Sequence, residues 1–439
     1  MFRALPFALL LAGCAPAPGP ARTPATAERS PVILVSLDGF RSDYLDRGVT
    51  PTLTRLAREG ARAEAMVPVF PTKTFPNHYT IVTGRWPANH GIVGNEFTAP
   101  ELGARFGMAD RGAVRDARFW GAEPIWVTAE RQGVRTAPLF WPGSEAAVGG
   151  VRPSYALPYD HDLPDSARVR QVLQWLDRPP PKRPAFLTLY TSVVDAAGHD
   201  FGPDAPETRV AIAQADSMVG LLAAGLAARG LEDKVNLVIV SDHGMTATAP
   251  DRVIELDTYL DRSAFEVDAI SPVLMAHPRP GLEDSVYRSL RAAPHLTVYR
   301  RADLPARYHL AGSPRVAPIV ALADEGWVIR RRPLPGEEPW EVGYGDHGYD
   351  DSLASMRAIF VARGPGFRRG LVVPRFRNIH VYPLLAELLG LRPAETDGSL
   401  DSVRAMLAHP SATSGSVRRR GSARAATAPA SSSEAPAPR

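Results

Sequence analysis

Cysteine and lysine are nearly absent from this chain. Cys14 is the only cysteine, so no intrachain disulfide can form. In an oxidising compartment, stability must come from packing or metal. Lysine occurs only at Lys73, Lys182 and Lys234, and arginine supplies the remaining positive charge. Single-sign charge is also scarce. From Ser411 onward there are five arginines and one glutamate, +4, so the rest carries about −1 against a total of +3. That balance excludes a nucleic-acid-binding body on charge grounds, and no nucleic-acid partner is expected. The apolar run near the N-terminus is too short to span a bilayer.

What is present begins with that run. Met1-Phe2-Arg3 leads into apolar residues ending Leu11-Ala12-Gly13-Cys14, the layout of a secretory signal over residues 1–13. The ending resembles a bacterial lipobox, in which Cys14 is lipidated. The expectation is a membrane-anchored envelope lipoprotein facing the periplasm or exterior. Residues 14–30 are Ala/Pro/Thr-rich and read as a flexible tether. Residues 411–439, rich in Ser, Ala, Arg and Pro, read as a disordered tail.

Between them, apolar strands alternate with helical periodicity. Thr50-Pro51 starts a helix that Gly60 ends, and 205–229 reads as a long amphipathic helix. Residues 61–67 and 357–361 read as strands, and 77–83 and 378–390 as helices. This alternation predicts an α/β three-layer sandwich with a mostly parallel central sheet over 31–405. Residues 250–340, with scattered prolines and the basic turn Arg330-Arg331-Arg332-Pro333, fit that pattern less well and read as an insertion or lid.

Three apolar runs each feed a loop bearing Asp or His. Val32–Leu37 precedes Asp38-Gly39, Phe186–Tyr190 precedes Asp195 and His199, and Leu237–Val240 precedes Asp242-His243-Gly244. Asp346-His347-Gly348 follows later. Carboxylate and imidazole suit zinc and similar divalent ions, and strand ends of an open sheet converge at its carboxyl edge. Asp195 and His199 are four apart, so one helical turn can bring both to one ion. Adjacent Asp242 and His243 require a turn, which Gly244 permits. His78 and His90 read as structural, and His161, His277, His295, His309, His380 and His409 as surface or core histidines without an Asp partner. Trp126, Trp141 and Trp175 read as core.

The most specific local string is Pro71-Thr72-Lys73-Thr74-Phe75-Pro76-Asn77-His78-Tyr79. With Asp38-Gly39-Phe40, Gly91-Ile92-Val93-Gly94-Asn95, Trp141-Pro142-Gly143-Ser144, the Asp195 to His199 stretch, Ser241-Asp242-His243-Gly244-Met245 and His347-Gly348-Tyr349, it resembles the nucleotide pyrophosphatase/phosphodiesterase family of the alkaline phosphatase superfamily. The resemblance implies an alkaline phosphatase-like fold and two zinc ions. One would be held by Asp195, His199 and His347, the other by Asp38, Asp242, His243 and the nucleophile Thr74. It further implies that Asn95 donates to the substrate phosphoryl group and that Phe75 and Tyr190 flank a nucleobase. Lys73 and Tyr159 are further candidates for the pocket. The expected reaction is hydrolysis of small-molecule nucleotide diesters and pyrophosphates through a phospho-threonine. A phosphomonoesterase, a lysophospholipid-type diesterase or a metal-stabilised binding protein are the alternatives.

Overall fold

The computed structural model describes residues 30–336 and 342–408. Cys14, the signal-like run, the tether and the Arg-rich tail lie outside the described residues. The central sheet has seven strands: β1 (Val32–Leu37), β2 (Ala61–Ala63), β3 (Thr136–Ala137), β4 (Phe186–Thr191), β5 (Asn236–Val240), β6 (Phe360–Arg363) and β7 (Leu371–Val373). Their order is β7-β2-β6-β5-β1-β4-β3. Only β6 runs antiparallel to its neighbours; the other pairings are parallel.

β1, β4 and β5 are buried along their whole length. Strands covered on both faces read as continuous apolar runs, which is how these segments appear in the sequence. Val32 and Leu34 pack into one core, while Ile33, Val35 and Leu37 pack into the core on the opposite face. Helices cover both sides, giving the expected three layers. On the second face lie α1 (Pro51–Glu59) and the long helix Pro206–Ala227. These two are tied together. The carboxylate of Asp216 accepts from the backbone N–H groups of Thr52 (3.0 Å) and Leu53 (2.7 Å). It thus caps α1 in place of Thr50, whose hydroxyl donates to the Leu45 carbonyl instead.

Several boundaries differ from the sequence reading: the strand expected over 61–67 is two, Ala61–Ala63 and Met66–Val67, and the helix expected over 378–390 is α-helical at Val381–Leu388 after a 3-10 turn. The strand expected at 357–361 is displaced to Phe360–Arg363, because Ala354–Met356 forms a short 3-10 turn just before it. The helix expected at 77–83 begins at Thr74, as α2 (Thr74–Thr83). Pro76 falls in its first turn, where a missing N–H breaks no hydrogen bond. The segment expected to be an insertion contains a four-stranded antiparallel sheet, in the order Phe265–Ala269, Val273–Pro278, Ile319–Ala323, Leu296–Arg300. The helix Glu283–Arg291 packs on it around a separate core.

Candidate active site

The carboxyl ends of β1, β4 and β5 lie side by side because these strands are adjacent and parallel. Asp38 follows β1 directly. Asp195 and His199 sit on the helix Val193–Phe201 that follows β4, so the four-residue spacing is a helical turn. Asp242 and His243 follow β5, and His347 follows the short strand Gly345–Asp346. Gly39 lets the first two loops meet. Its φ is +68°, and a Cβ there would lie 2.8 Å from the Asp195 Cα. Gly244 serves differently from the turn-forming role expected of it: a Cβ there would lie 2.1 Å from the Ser355 carbonyl oxygen, so the requirement is space.

The ligand-type atoms form two adjoining groups. Asp195 Oδ1 lies 3.5 Å from His199 Nε2 and 3.7 Å from His347 Nε2. Asp242 Oδ2 lies 2.9 Å from His243 Nε2, and Asp38 Oδ1 lies 3.5 Å from the same nitrogen. Asp38, Asp195 and His243 also come within range of one another, so the groups share an edge. Thr74 Oγ1 lies 3.4 Å from His243 Nε2, at the start of α2.

The hydrogen bonds aim these atoms inward. His199 Nδ1 is 2.9 Å from the Gly345 carbonyl, His243 Nδ1 is 2.9 Å from the Gly244 carbonyl, and His347 Nδ1 is 2.8 Å from the Thr72 carbonyl. Each Nδ1–H therefore donates to backbone, leaving the Nε2 lone pair facing the cluster. Asp38 Oδ1, Asp195 Oδ1 and Asp242 Oδ2 are buried without a hydrogen-bond partner among the described residues. Three orphaned carboxylate oxygens facing three imidazole lone pairs form a donor set that fits divalent cations, since buried charge demands a counter-charge.

The electrostatics agree except at His243, where burial works to lower the pKa but the Asp242 charge outweighs it and raises it. Burial, reinforced by the charges of Asp242 and Asp195, raises Asp38 well above the usual carboxylate range. Burial also works to raise Asp242, but the charges of His243 and His78 outweigh it and hold that carboxyl low. Burial, helped by His243, Lys73 and His199, keeps His347 neutral, the form that ligates.

Asn95 Oδ1 accepts from the Phe75 N–H at 2.9 Å, which fixes the amide beside the first turn of α2 and leaves its NH₂ as the donor. Phe75 is half-buried against Phe106 and Trp120, at centroid distances of 5.7 and 6.0 Å. Lys73 Nζ lies 3.3 Å from Asp346 Oδ1. Tyr159 is half-buried, its ring 6.4 Å from that of Tyr190.

Tyr190 does not offer a face to a base as expected. It is 8% exposed, and its hydroxyl donates to Asp38 Oδ2 at 2.6 Å. Burial and the Asp38 charge push its pKa up, so the phenol stays protonated and able to donate. His78, expected to be merely structural, touches the site. Its Nδ1 bonds the Thr74 carbonyl at 2.9 Å and lies 3.3 Å from Asp242 Oδ2, while Nε2 bonds Ser36 Oγ at 2.8 Å. Both nitrogens are engaged, so His78 braces Thr74 and Asp242 from behind. The i, i+4 spacing from Thr74 was the available signal. Two histidines expected to lack an acid partner have one: His277 with Asp268 at 2.6 Å and His295 with Asp324 at 3.1 Å. Trp126, Trp141 and Trp175 are core residues, as expected.

Comparison with known proteins matches residues 32–350 to the family model described as type I phosphodiesterase / nucleotide pyrophosphatase. A venom phosphodiesterase of Crotalus durissus collilineatus is 38% identical over 89% of this chain and 48% of its own length. The chain thus spans about half the length of that relative. Human ectonucleotide pyrophosphatase/phosphodiesterase family member 5 is 38% identical over 87% of this chain and 78% of its own. The solved structure of murine member 5, an inactive threonine-to-alanine form in complex with AMP, gives a TM-score of 0.82 at 38% identity, covering 86% of this chain and 100% of that one.

Proposed function

Given that this chain belongs to the type I phosphodiesterase / nucleotide pyrophosphatase family, we propose that it hydrolyses nucleotide phosphodiester and pyrophosphate bonds, releasing nucleoside 5′-monophosphates through a covalent ester on Thr74. The observation that carries this reading is the position of Thr74 Oγ1 at the N-terminus of α2, beside His243 Nε2 and the orphaned carboxylates. An isolated threonine hydroxyl is a poor nucleophile at neutral pH.

Two zinc ions are the proposed occupants, one on Asp195, His199 and His347, the other on Asp38, Asp242, His243 and Thr74. When bound they supply the positive charge that lowers the hydroxyl pKa and offsets charge on the phosphoryl oxygens. Thr74 Oγ1 attacks phosphorus in line, and the bond to the leaving oxygen breaks. The nucleoside phosphoryl group stays on Thr74 until water displaces it. Asn95 donates through its NH₂ to a phosphoryl oxygen. The first turn of α2 presents the positive end of its dipole to the same group. Lys73 places its charge on Asp346, which leaves the site suited to a diester monoanion. Phe75 and Tyr159 supply apolar faces for the base. That an inactive threonine-to-alanine relative holds AMP supports both the nucleophile and the product class.

The direct test compares a nucleotide aryl diester with an aryl monoester. The diester should be favoured by at least ~100-fold in kcat/KM, about 3 kcal/mol of transition-state binding. Equal turnover would replace this reading with a phosphomonoesterase. Cys14 is the proposed lipid attachment point in the cell envelope. Cys14→Ser should release the protein from membranes, and unchanged membrane association with no lipid on the wild-type chain would refute the anchor.

A further inference from the structure

The basic turn at Arg330-Arg331-Arg332 has no part in the chemistry above, yet it borders a cavity of about 540 Å³. The cavity lies between the hairpin that follows Asn95 (Glu96–Ala99 with Ala104–Gly107) and the edge strand Phe265–Ala269 of the insertion sheet. Arg105, Arg262, Arg279 and Arg331 line it.

Their charges are unevenly answered. Arg262 is held by Asp257 at 2.7 Å, and Arg105 bonds the Asp268 carbonyl at 2.8 Å. Among the described residues the Arg279 guanidinium meets Glu266, at 3.1 Å, in a pair more than half exposed on both sides; such pairs are worth little. Arg331 is the outlier. Its Nε and Nη2 are buried without a hydrogen-bond partner among the described residues, and its guanidinium lies 4.6 Å from the Phe265 ring centroid. The buried Asp268 carboxylate cannot answer it. That group already accepts from the Thr98 N–H (2.8 Å), from the Thr98 hydroxyl (2.7 Å) and from His277 Nε2 (2.6 Å). A guanidinium fork without an acceptor, beside a second weakly paired one, is a site for a planar or tetrahedral oxyanion.

We propose that this cleft is a second anion site that binds a phosphate or polyphosphate group through Arg331 and Arg279. The cavity is of a size that holds a nucleotide-like ligand. Thr98 lies three residues along the strand from Asn95, about 10 Å of extended chain. A distal phosphate of a long substrate, or a separate phosphorylated molecule, presents the same chemistry to these arginines.

The test titrates the Thr74→Ala protein with inorganic tripolyphosphate by calorimetry. Two binding events are expected. Arg279→Gln with Arg331→Gln should abolish one and leave the other unchanged, and Arg279→Gln alone, at an exposed position, should weaken the same event at least threefold. A single event, identical in all three proteins, overturns the proposal. A second arm uses chains with Thr74 intact, and it alone rests on the proposed activity. A KM raised fivefold or more for a dinucleoside polyphosphate but unchanged for a bis-aryl phosphate assigns the cleft to distal substrate phosphates. Loss of the calorimetric event with both KM values unchanged assigns it to a separate phosphorylated molecule. If neither substrate is turned over, the activity reading fails while the calorimetric result still decides the site.

Discussion

The hydroxyl of Tyr190 sits 2.6 Å from Oδ2 of Asp38, and both residues are buried. Their strands pair in register, with Ser36 opposite Tyr190, so the contact is built by the β1–β4 ladder. Holding one carboxylate oxygen leaves Oδ1 aimed at the cluster. Tyr190→Phe should therefore lower metal affinity or kcat by about 10–100-fold, the usual effect of losing a partner behind a ligand. The loss should be equal for all substrates. Chelator competition and kcat together check this, and a change confined to KM for nucleotides would instead make Tyr190 a base-binding residue.

Phe75 and Tyr159 carry the opposite expectation. Phe75→Ala or Tyr159→Ala should cut kcat/KM for nucleotide diesters about tenfold, ~1.4 kcal/mol, while sparing a methyl aryl diester. Parallel losses on both substrates would show that these rings pack and do not select.

Metal removal should silence the protein. A strong chelator should abolish diester hydrolysis, and zinc should restore it. Purified protein should carry about two zinc ions per chain. His199→Ala should lose the metal on the Asp195 side. Full activity in chelator, with no zinc by elemental analysis, would contradict the metal assignment.

His90 gives a pH signature that belongs to the fold and not to the carboxylate–imidazole cluster. It is buried, with Nε2 2.9 Å from Thr80 Oγ1 and Nδ1 accepting from the Ile92 N–H at 3.1 Å. Burial lowers its pKa from 6.5 to about 3. Between those values the unfolded chain binds the proton and the folded chain does not, so stability falls as pH falls below 6.5. From pH 7 to pH 5 this one group should cost about 2 kcal/mol. Denaturant unfolding of wild type and His90→Gln at both pH values isolates it. Identical pH slopes would mean His90 protonates in the fold.

Much of this site was legible because its candidate ligands are local events: an apolar run, then Asp, at three strand ends. The i, i+4 pair Asp195 and His199 needed only helical geometry. What the sequence hid depends on contacts distant along the chain. Tyr190 reads as an aromatic near a site until strand register sets its hydroxyl on Asp38, 152 positions away. His277 meets Asp268 only because their strands pair antiparallel with a register shift at Val267 and Ala269. The helix read over 77–83 starts three residues earlier, at Thr74, because a proline such as Pro76 is tolerated in a first turn. The insertion resisted because its short antiparallel strands carry no motif.

The central claim is that Thr74 is the nucleophile, and the most direct measurement is acid-quenched peptide mapping during turnover of a nucleotide diester. A nucleoside-monophosphoryl adduct on the peptide bearing Thr74 is the expected result. It should be absent from Thr74→Ala, which should keep the wild-type fold and zinc content yet lose turnover. An adduct on another residue, or a Thr74→Ala protein retaining more than a few per cent of wild-type rate, would contradict it.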